Sequence, residues 1–281
     1  MKQVMDFLRE LSLNNEKPWF EAHKQEYLLA KATVSSLTLK LIEGIRGFDD
    51  TIGPLTVPDC TYRIYRDLRF SKDKSPYKTH MGIFITRGGK KSGYSGYYFH
   101  IDGSGNHLIA IGNYYTEPRV LKTLREDIEL GGGDFRRIIE GLDPCLRLET
   151  EGSLKNVPKG FPADSPDAGF LKLKNFCLVG SPDEKFMLDP DLAEQLASIF
   201  KTGKPFLDYV NRAIDYCREE QKEYFSSLDF YGFMRLILFG ATSIALLGHT
   251  RRHRWHPTHL DPISFGLRDS RSNSMAWWPP S

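Results

Sequence analysis

The chain has 281 residues, of which 40% are hydrophobic and 26% charged, and a formal net charge of +2. These are the proportions of a soluble globular protein with room for one sizeable core, alone or with an appendage. Six basic and three acidic residues follow Phe225, which leaves 32 bases against 33 acids before it; that balance excludes a general polyanion binder.

The amino terminus carries acids early and no continuous apolar run, which argues against a signal peptide. Val4, Phe7, Leu8 and Leu11 recur at the spacing of a short amphipathic helix, which Asn14-Asn15 interrupts. Pro18 suits the start of a second helix, capped near Asn15 or Lys17 and ended by Gly44 and Gly47. On it, Trp19 and Phe20 read as packing of helix against sheet. From Tyr62 to Tyr115 the period changes. Thr79–Thr86, Gly93–Ile101 and His107–Tyr115 are short, aromatic or β-branched runs separated by glycine-rich turns, the pattern of an antiparallel meander. No helix-length segment separates them, which argues against a parallel sheet. Pro118 opens a helix with Leu121, Leu124 and Ile128 on one face, and Gly131-Gly132-Gly133 turns it into a short helix around Phe135. Further strands are expected at Leu146–Glu149, Leu154–Val157 and Phe176–Val179. A closing helix starts near Leu192, is interrupted at Gly203 and Pro205, and resumes to Cys217. Cys60, Cys145, Cys177 and Cys217 are scattered without a Cys-x-x-Cys pair, which supports buried thiols in a reducing cytoplasm rather than a zinc or redox motif. The expected fold is therefore α+β, an antiparallel sheet flanked by helices, as a single domain over 1–225 with an irregular tail over 226–281.

The densest chemistry lies between Tyr62 and His80. Arg63, Arg66, Arg69, Lys72, Lys74 and Lys78 face only Asp67 and Asp73, with Tyr62, Tyr65, Phe70 and Tyr77 interleaved. The spacing Arg63-x-x-Arg66-Asp67-x-Arg69-Phe70-x-x-Asp73-Lys74-x-x-Tyr77 resembles the signature of a conserved hypothetical family found mostly in bacteria, domain-of-unknown-function family 2461. Asn14-Asn15 with Trp19-Phe20, Tyr97-Tyr98-Phe99-His100 and the Leu154–Pro162 segment resemble it too. The resemblance covers about Met1 to about Phe225. It implies a domain boundary and a candidate site, and no activity.

If Tyr62 to Phe70 is extended, Tyr62, Ile64, Arg66, Leu68 and Phe70 share one face. Arg66 then needs a carboxylate, Asp67 or Asp73, while Arg63 and Arg69 present planar forks suited to phosphate, sulfate or carboxylate. Lys74 and Lys78 lie on a loop able to close over an anion, with Tyr77 at the edge of the concave surface. A salt-bridge network pinning the loop is the competing reading; the excess of bases over acids favours anion recognition. Lys155 and Lys159 form a second basic pair, and the shared resemblance raises the expectation that both segments converge. His80 and His100 are candidate general acid–bases, with Asp102 orienting His100. No nucleophile motif accompanies them. Three functions follow: a binding domain for a phosphate-bearing small molecule or nucleic-acid end, an enzyme on a phosphorylated substrate using His80 or His100, or a module docking an acidic partner. No cofactor is expected.

After Phe225 the composition changes: Ser226 to Ser281 contains no Lys, Glu, Gln or Cys. Phe230–Gly248 is nearly long enough to span a bilayer, which needs about 20 apolar residues, and Arg251, Arg252 and Arg254 follow it. A membrane anchor is one reading; an appended or out-of-frame tail, which Arg235 and the small polar residues favour, is the other. His249, His253, His256 and His259 come without acids or cysteines to complete a metal site. We expect truncation after Phe225 to leave the denaturation midpoint of the domain unchanged and to raise solubility. An unfolded truncation product, or a full-length protein that resists carbonate extraction from membranes, would refute the tail reading.

Overall fold

The structure is a computed structural model that describes residues 1–69, 72–131 and 133–244, with 224–244 as main chain only. Phe70 and Ser71 in the basic stretch, Gly132 in the glycine turn, the end of the Phe230–Gly248 run and the histidine-rich region beyond it lie outside the described residues. The chain divides into two compact units, Met1–Arg218 and Glu219–Ser281. Among the described residues no helix is long and apolar enough to cross a membrane.

The first unit is α+β. In chain order its elements are α1 (Lys2–Leu13), α2 (Lys17–Ala22), α3 (Lys24–Arg46), α4 (Val57–Cys60), β1 (His80–Ile85), β2 (Gly96–Asp102) and β3 (Leu108–Asn113). Then come α5 (Pro118–Leu130), α6 (Asp134–Glu140), β4 (Arg147–Leu148), α7 (Ala168–Leu171), β5 (Phe176–Gly180), α8 (Glu184–Met187) and α9 (Leu192–Ile244), which continues into the second unit. The five strands form one antiparallel sheet in the order β1-β2-β3-β5-β4. Leu154–Val157 forms no strand; its main-chain tie is the Leu154 N–H donated to the Lys172 carbonyl at 2.8 Å.

The two-residue period of the strands sorts their side chains. Ile83, Phe99 and Ile109 align across β1, β2 and β3, as do Ile85, Tyr97 and Ile111, and all are buried. This face meets the helices. α1 buries Val4, Met5, Phe7, Leu8 and Leu11, each such burial stabilising by about 1.5–3 kcal/mol. Phe200 of α9 packs on Tyr97 at 5.3 Å between ring centroids. The Tyr97 hydroxyl donates to the buried Asp49 carboxylate at 2.8 Å, just past the end of α3. His80, Gly82 and Phe84 align on the other face with Tyr98 and His100.

Two expected helix boundaries move. The second helix breaks at His23, where the Nδ1–H donates to the Trp19 carbonyl at 2.8 Å and the imidazole stacks on the Trp19 ring at 4.0 Å. The closing helix, in contrast, runs unbroken through Gly203 and Pro205. Glycine at 203 serves close approach: a Cβ there would lie 2.2 Å from Ile111 Cδ1. Packing of Phe200, Phe206 and Val210 outweighs the local preference of Gly203 and Pro205 to end the helix.

The basic stretch is not a strand. Antiparallel bridges join Thr61 to Ile83 and Tyr65 to Tyr77, with the Arg66 N–H on the Pro76 carbonyl at 3.0 Å and the Lys78 N–H on the Ile64 carbonyl at 2.7 Å. These bonds close a hairpin-like loop hung beside β1. Asn15 fastens it: its side-chain amide donates to the Tyr77 carbonyl at 2.9 Å and its oxygen accepts the Tyr77 N–H at 3.0 Å. We predict that Asn15→Ala, which leaves both main-chain groups without these partners, destabilises the protein by about 1–3 kcal/mol in chemical denaturation.

Candidate functional site

Tyr77 anchors the loop from inside. Its ring is only 3% exposed and stacks on Phe20 at 4.0 Å with 14° between planes. It belongs to the core and does not form the edge of a binding surface; Tyr65, half exposed, packs against it from outside at 5.4 Å. Inward Tyr77 leaves its neighbour Lys78 pointing to the other side of the extended backbone.

The two acids of the stretch are committed. The Arg69 guanidinium holds Asp67 with two parallel bonds, Nε to Oδ1 at 3.0 Å and Nη2 to Oδ2 at 2.6 Å. Arg69 accordingly holds the Asp67 carboxyl down at about 2. Asp73 accepts from the Ser75 hydroxyl and N–H and from the Arg66 guanidinium, and the serine hydroxyl and Arg66 keep it well below the usual carboxylate range. Arg66 is the more buried arginine with a carboxylate partner, as the sequence leads one to expect, with a quarter of its side chain exposed. The Lys74 ammonium turns back onto the Leu68 carbonyl at 3.2 Å.

Arg63 and Lys78 make no ion pair among the described residues. Arg63 is exposed, whereas Lys78 is partly buried, its ammonium 5.5 Å from the Tyr62 ring centroid. Burial, then the nearby Arg63 and Arg66 guanidinium groups, lower the Lys78 pKa. His80 continues the line. Burial, His100, Lys78 and Arg66 push its imidazole down to about 4 against the opposing pull of Asp102, so it is neutral at pH 7. Four basic side chains thus share one neighbourhood in which the described carboxylates are already engaged.

His80 and His100 lie 5.1 Å apart between ring centroids. His100 is locked: Nε2 faces the Asn106 carbonyl at 2.9 Å, which only accepts, so Nε2 carries the proton and Nδ1 accepts the Tyr98 hydroxyl at 3.1 Å. Asp102 does not orient it. That carboxylate shapes the β2–β3 turn instead, accepting the Ser104 N–H at 2.8 Å and the Ser104 hydroxyl. His100 is thus buried with both ring nitrogens engaged.

Lys155 and Lys159 are exposed on the segment that leaves the sheet after β4. β4 is the edge opposite β1, roughly 19 Å away at four strand spacings. No hydrogen bond or ion pair among the described residues joins these lysines to the basic loop. Two residues outside the expected set matter here. Tyr62, with Lys78 and Lys90 about its ring, floors the cationic neighbourhood. Asn15 holds the loop in register, and the asparagine pair at a helix end was the available signal.

No curated protein and no solved structure matches the chain. A family model, described as a conserved hypothetical protein (DUF2461), matches residues 3–209, a span that includes the whole basic loop, both histidines and the sheet. The chain belongs to the DUF2461 family of conserved hypothetical proteins.

Proposed function

We propose that the protein is a cytoplasmic binding domain for a phosphate-bearing ligand, a small molecule or a nucleic-acid end, held by Lys78, Arg63, Arg66 and His80. The observation that carries this reading is the partly buried Lys78 ammonium, 5.5 Å from the Tyr62 ring centroid, with its charge disfavoured by Arg63 and Arg66 and without an ion pair among the described residues. Like charges brought together out of water raise one another's free energy, and a multivalent anion reverses the sign of that interaction. The fork of Arg63 suits phosphate oxygens, Arg66 adds its charge while bonded to Asp73, and neutral His80 has a donor to add. Tyr62 offers a ring face beside the anion. His100 takes no part, and no side chain in this neighbourhood is a recognisable nucleophile.

Pyrophosphate should raise the thermal midpoint of the full-length protein. Lys78→Met keeps the aliphatic stem and removes the charge; it should fold at least as well and bind pyrophosphate about tenfold more weakly or worse, the worth of one charge-assisted hydrogen bond of about 1.5–3 kcal/mol. Arg63→Ala should behave likewise. A wild type that neither phosphate nor pyrophosphate stabilises would overturn the proposal. Affinity that grows with oligonucleotide length and falls steeply with salt would assign the ligand to nucleic acid.

His80 makes both stability and binding depend on pH. Its folded pKa, about 4, lies below the value of roughly 6.5 for an unperturbed histidine. Between these values the unfolded chain takes up a proton that the folded protein refuses, so this contribution to stability is complete above about 6.5 and is lost as the pH falls toward 4. A bound anion favours the imidazolium, so sulfate, which stays a dianion throughout, should bind more tightly at pH 5 than at pH 7.5. In His80→Gln both the stability slope and the sulfate dependence should flatten; calorimetric titration at the two pH values measures the second.

A further inference from the structure

A small cavity of about 210 Å³ lies where α1, the β2–β3 turn and the start of α8 meet. Met5 and Arg9, one helical turn apart, line it from α1; Asp102, Gly105 and His107 line it from the turn, and Glu184 from α8. The turn is pressed onto the helix, since a Cβ at Gly103 would collide with the Leu8 carbonyl oxygen. The unusual member is His107. It is 5% exposed, and its Nδ1 accepts the Asp102 N–H at 3.1 Å, so Nε2 carries the proton of the neutral ring. Burial lowers its pKa against the pull of Asp102 and Glu184, which keeps the ring neutral at pH 7. The Nε2–H has no acceptor among the described residues. The sealed side-chain atoms left without partners there are Ser95 Oγ and the Tyr209 hydroxyl; Nε2 is not sealed, and it meets the open space that His107 lines. Polar groups of buried residues are nearly always paired, and a donor left over in a lined cavity points to a missing acceptor.

We propose that this cavity binds a small α-amino acid, its carboxylate on His107 and Arg9 and its ammonium on Asp102 and Glu184. The charges there are gathered but not joined. Arg9 stands 4.0 Å from Glu184 and 3.7 Å from Asp6, both beyond a hydrogen bond, so its fork keeps donors for a ligand carboxylate. Asp102 commits Oδ1 to the Ser104 N–H and hydroxyl, which leaves Oδ2 without a partner among the described residues. A donor and a cation beside two carboxylates are the complement of what an α-amino acid carries on one carbon. Asp6, Asp102 and Glu184 outnumber Arg9 and count against a ligand that is only an anion. The Nε2–H and the guanidinium count against one that is only a cation. A volume of about 210 Å³, below the roughly 300–1,000 Å³ of drug-sized sites, suits a short side chain, and buried Met5 supplies an apolar wall. This site stands independently of the anion site near Lys78, since it shares no residue with it.

The test is an NMR titration of the full chain carrying isotope-labelled histidine, with L-alanine, acetate and ethylamine as probes. L-Alanine should shift the His107 Nε2 resonance saturably, and acetate and ethylamine, which each carry one of its two charges, should bind at least tenfold more weakly. Arg9→Gln and Glu184→Gln, at positions half and two-thirds exposed, should fold as the wild type does and each lose roughly tenfold in alanine affinity. Lys78→Met should change nothing here. The proposal is overturned if L-alanine at millimolar concentration leaves the His107 resonance in place, or if acetate or ethylamine binds as tightly as alanine. It is equally overturned if either cavity variant binds alanine as the wild type does, or if Lys78→Met weakens alanine as much as they do.

Discussion

A partly buried ammonium beside two guanidinium groups pushes its own surroundings apart, and the segment from Thr61 to His80 is built to withstand that push. Asp73 holds Arg66, and the rest of the restraint comes from apolar contact and main-chain hydrogen bonds. Tyr77 stacks on Phe20 inside the core, and Asn15 takes both main-chain groups of Tyr77 in the manner of a neighbouring strand. The next residue is Lys78, whose own N–H is fixed on Ile64, itself buried. An aromatic pair of this kind is worth about 0.5–1.5 kcal/mol beyond its buried area. Together with the two amide bonds it fixes the place from which the ammonium projects.

The far end of β1 is held as firmly, by different chemistry. The Tyr94 hydroxyl donates to Asp215 of α9 at 2.5 Å, with the Arg87 and Arg218 guanidinium groups 4.6 and 4.0 Å from its ring centroid. Asn211 brackets Ser95, accepting its N–H at 3.0 Å and donating to its carbonyl at 3.2 Å. This repeats the device that Asn15 applies to Tyr77: a side-chain amide replaces a missing strand partner. The strand that carries His80 is therefore tied to the helical layer at both ends. A rigid frame of this sort lowers the ordering cost that an anion-binding group would otherwise meet on binding.

What the sequence made legible was whatever depends on local period. The meander from β1 to β3, the buried stripe of α1, the proline start of α5 and the short β4 all follow from alternation, helical spacing or a turn residue. What it hid depends on a distant partner. Gly203 reads as a helix breaker until the Ile111 side chain is set against it, at which point it becomes the reason α9 can lie close to the sheet. His23 reads as one more residue of a long helix, yet its imidazole binds the Trp19 carbonyl and stacks on the indole, and the helix breaks there. Tyr77 carries the same ambiguity. An aromatic among lysines and arginines suggests a ligand platform, and only the position of Phe20 turns it inward. Asp102 and His100 share a strand face, as period two requires, but the carboxylate is drawn to its own turn by Ser104.

The arithmetic of the basic stretch leads to the same cluster from another side. Each of its two acids bonds a main-chain N–H two residues ahead, Asp67 that of Arg69 and Asp73 that of Ser75. Such bonds shape turns, which is the ordinary work of aspartate in a loop. The arginines that join them, Arg69 and Arg66, complete the loop and account for the network that a purely structural reading of the motif requires. That reading explains four of the charges and then runs out, because no acid among the described residues pairs with Arg63 or Lys78. Exposed Arg63 needs none. Lys78 is different: its charge is partly withdrawn from water, its neighbours are cations, and a neutral residue there would cost the fold less. A feature that costs stability and does not help to close the loop is what supports the proposal of a ligand there.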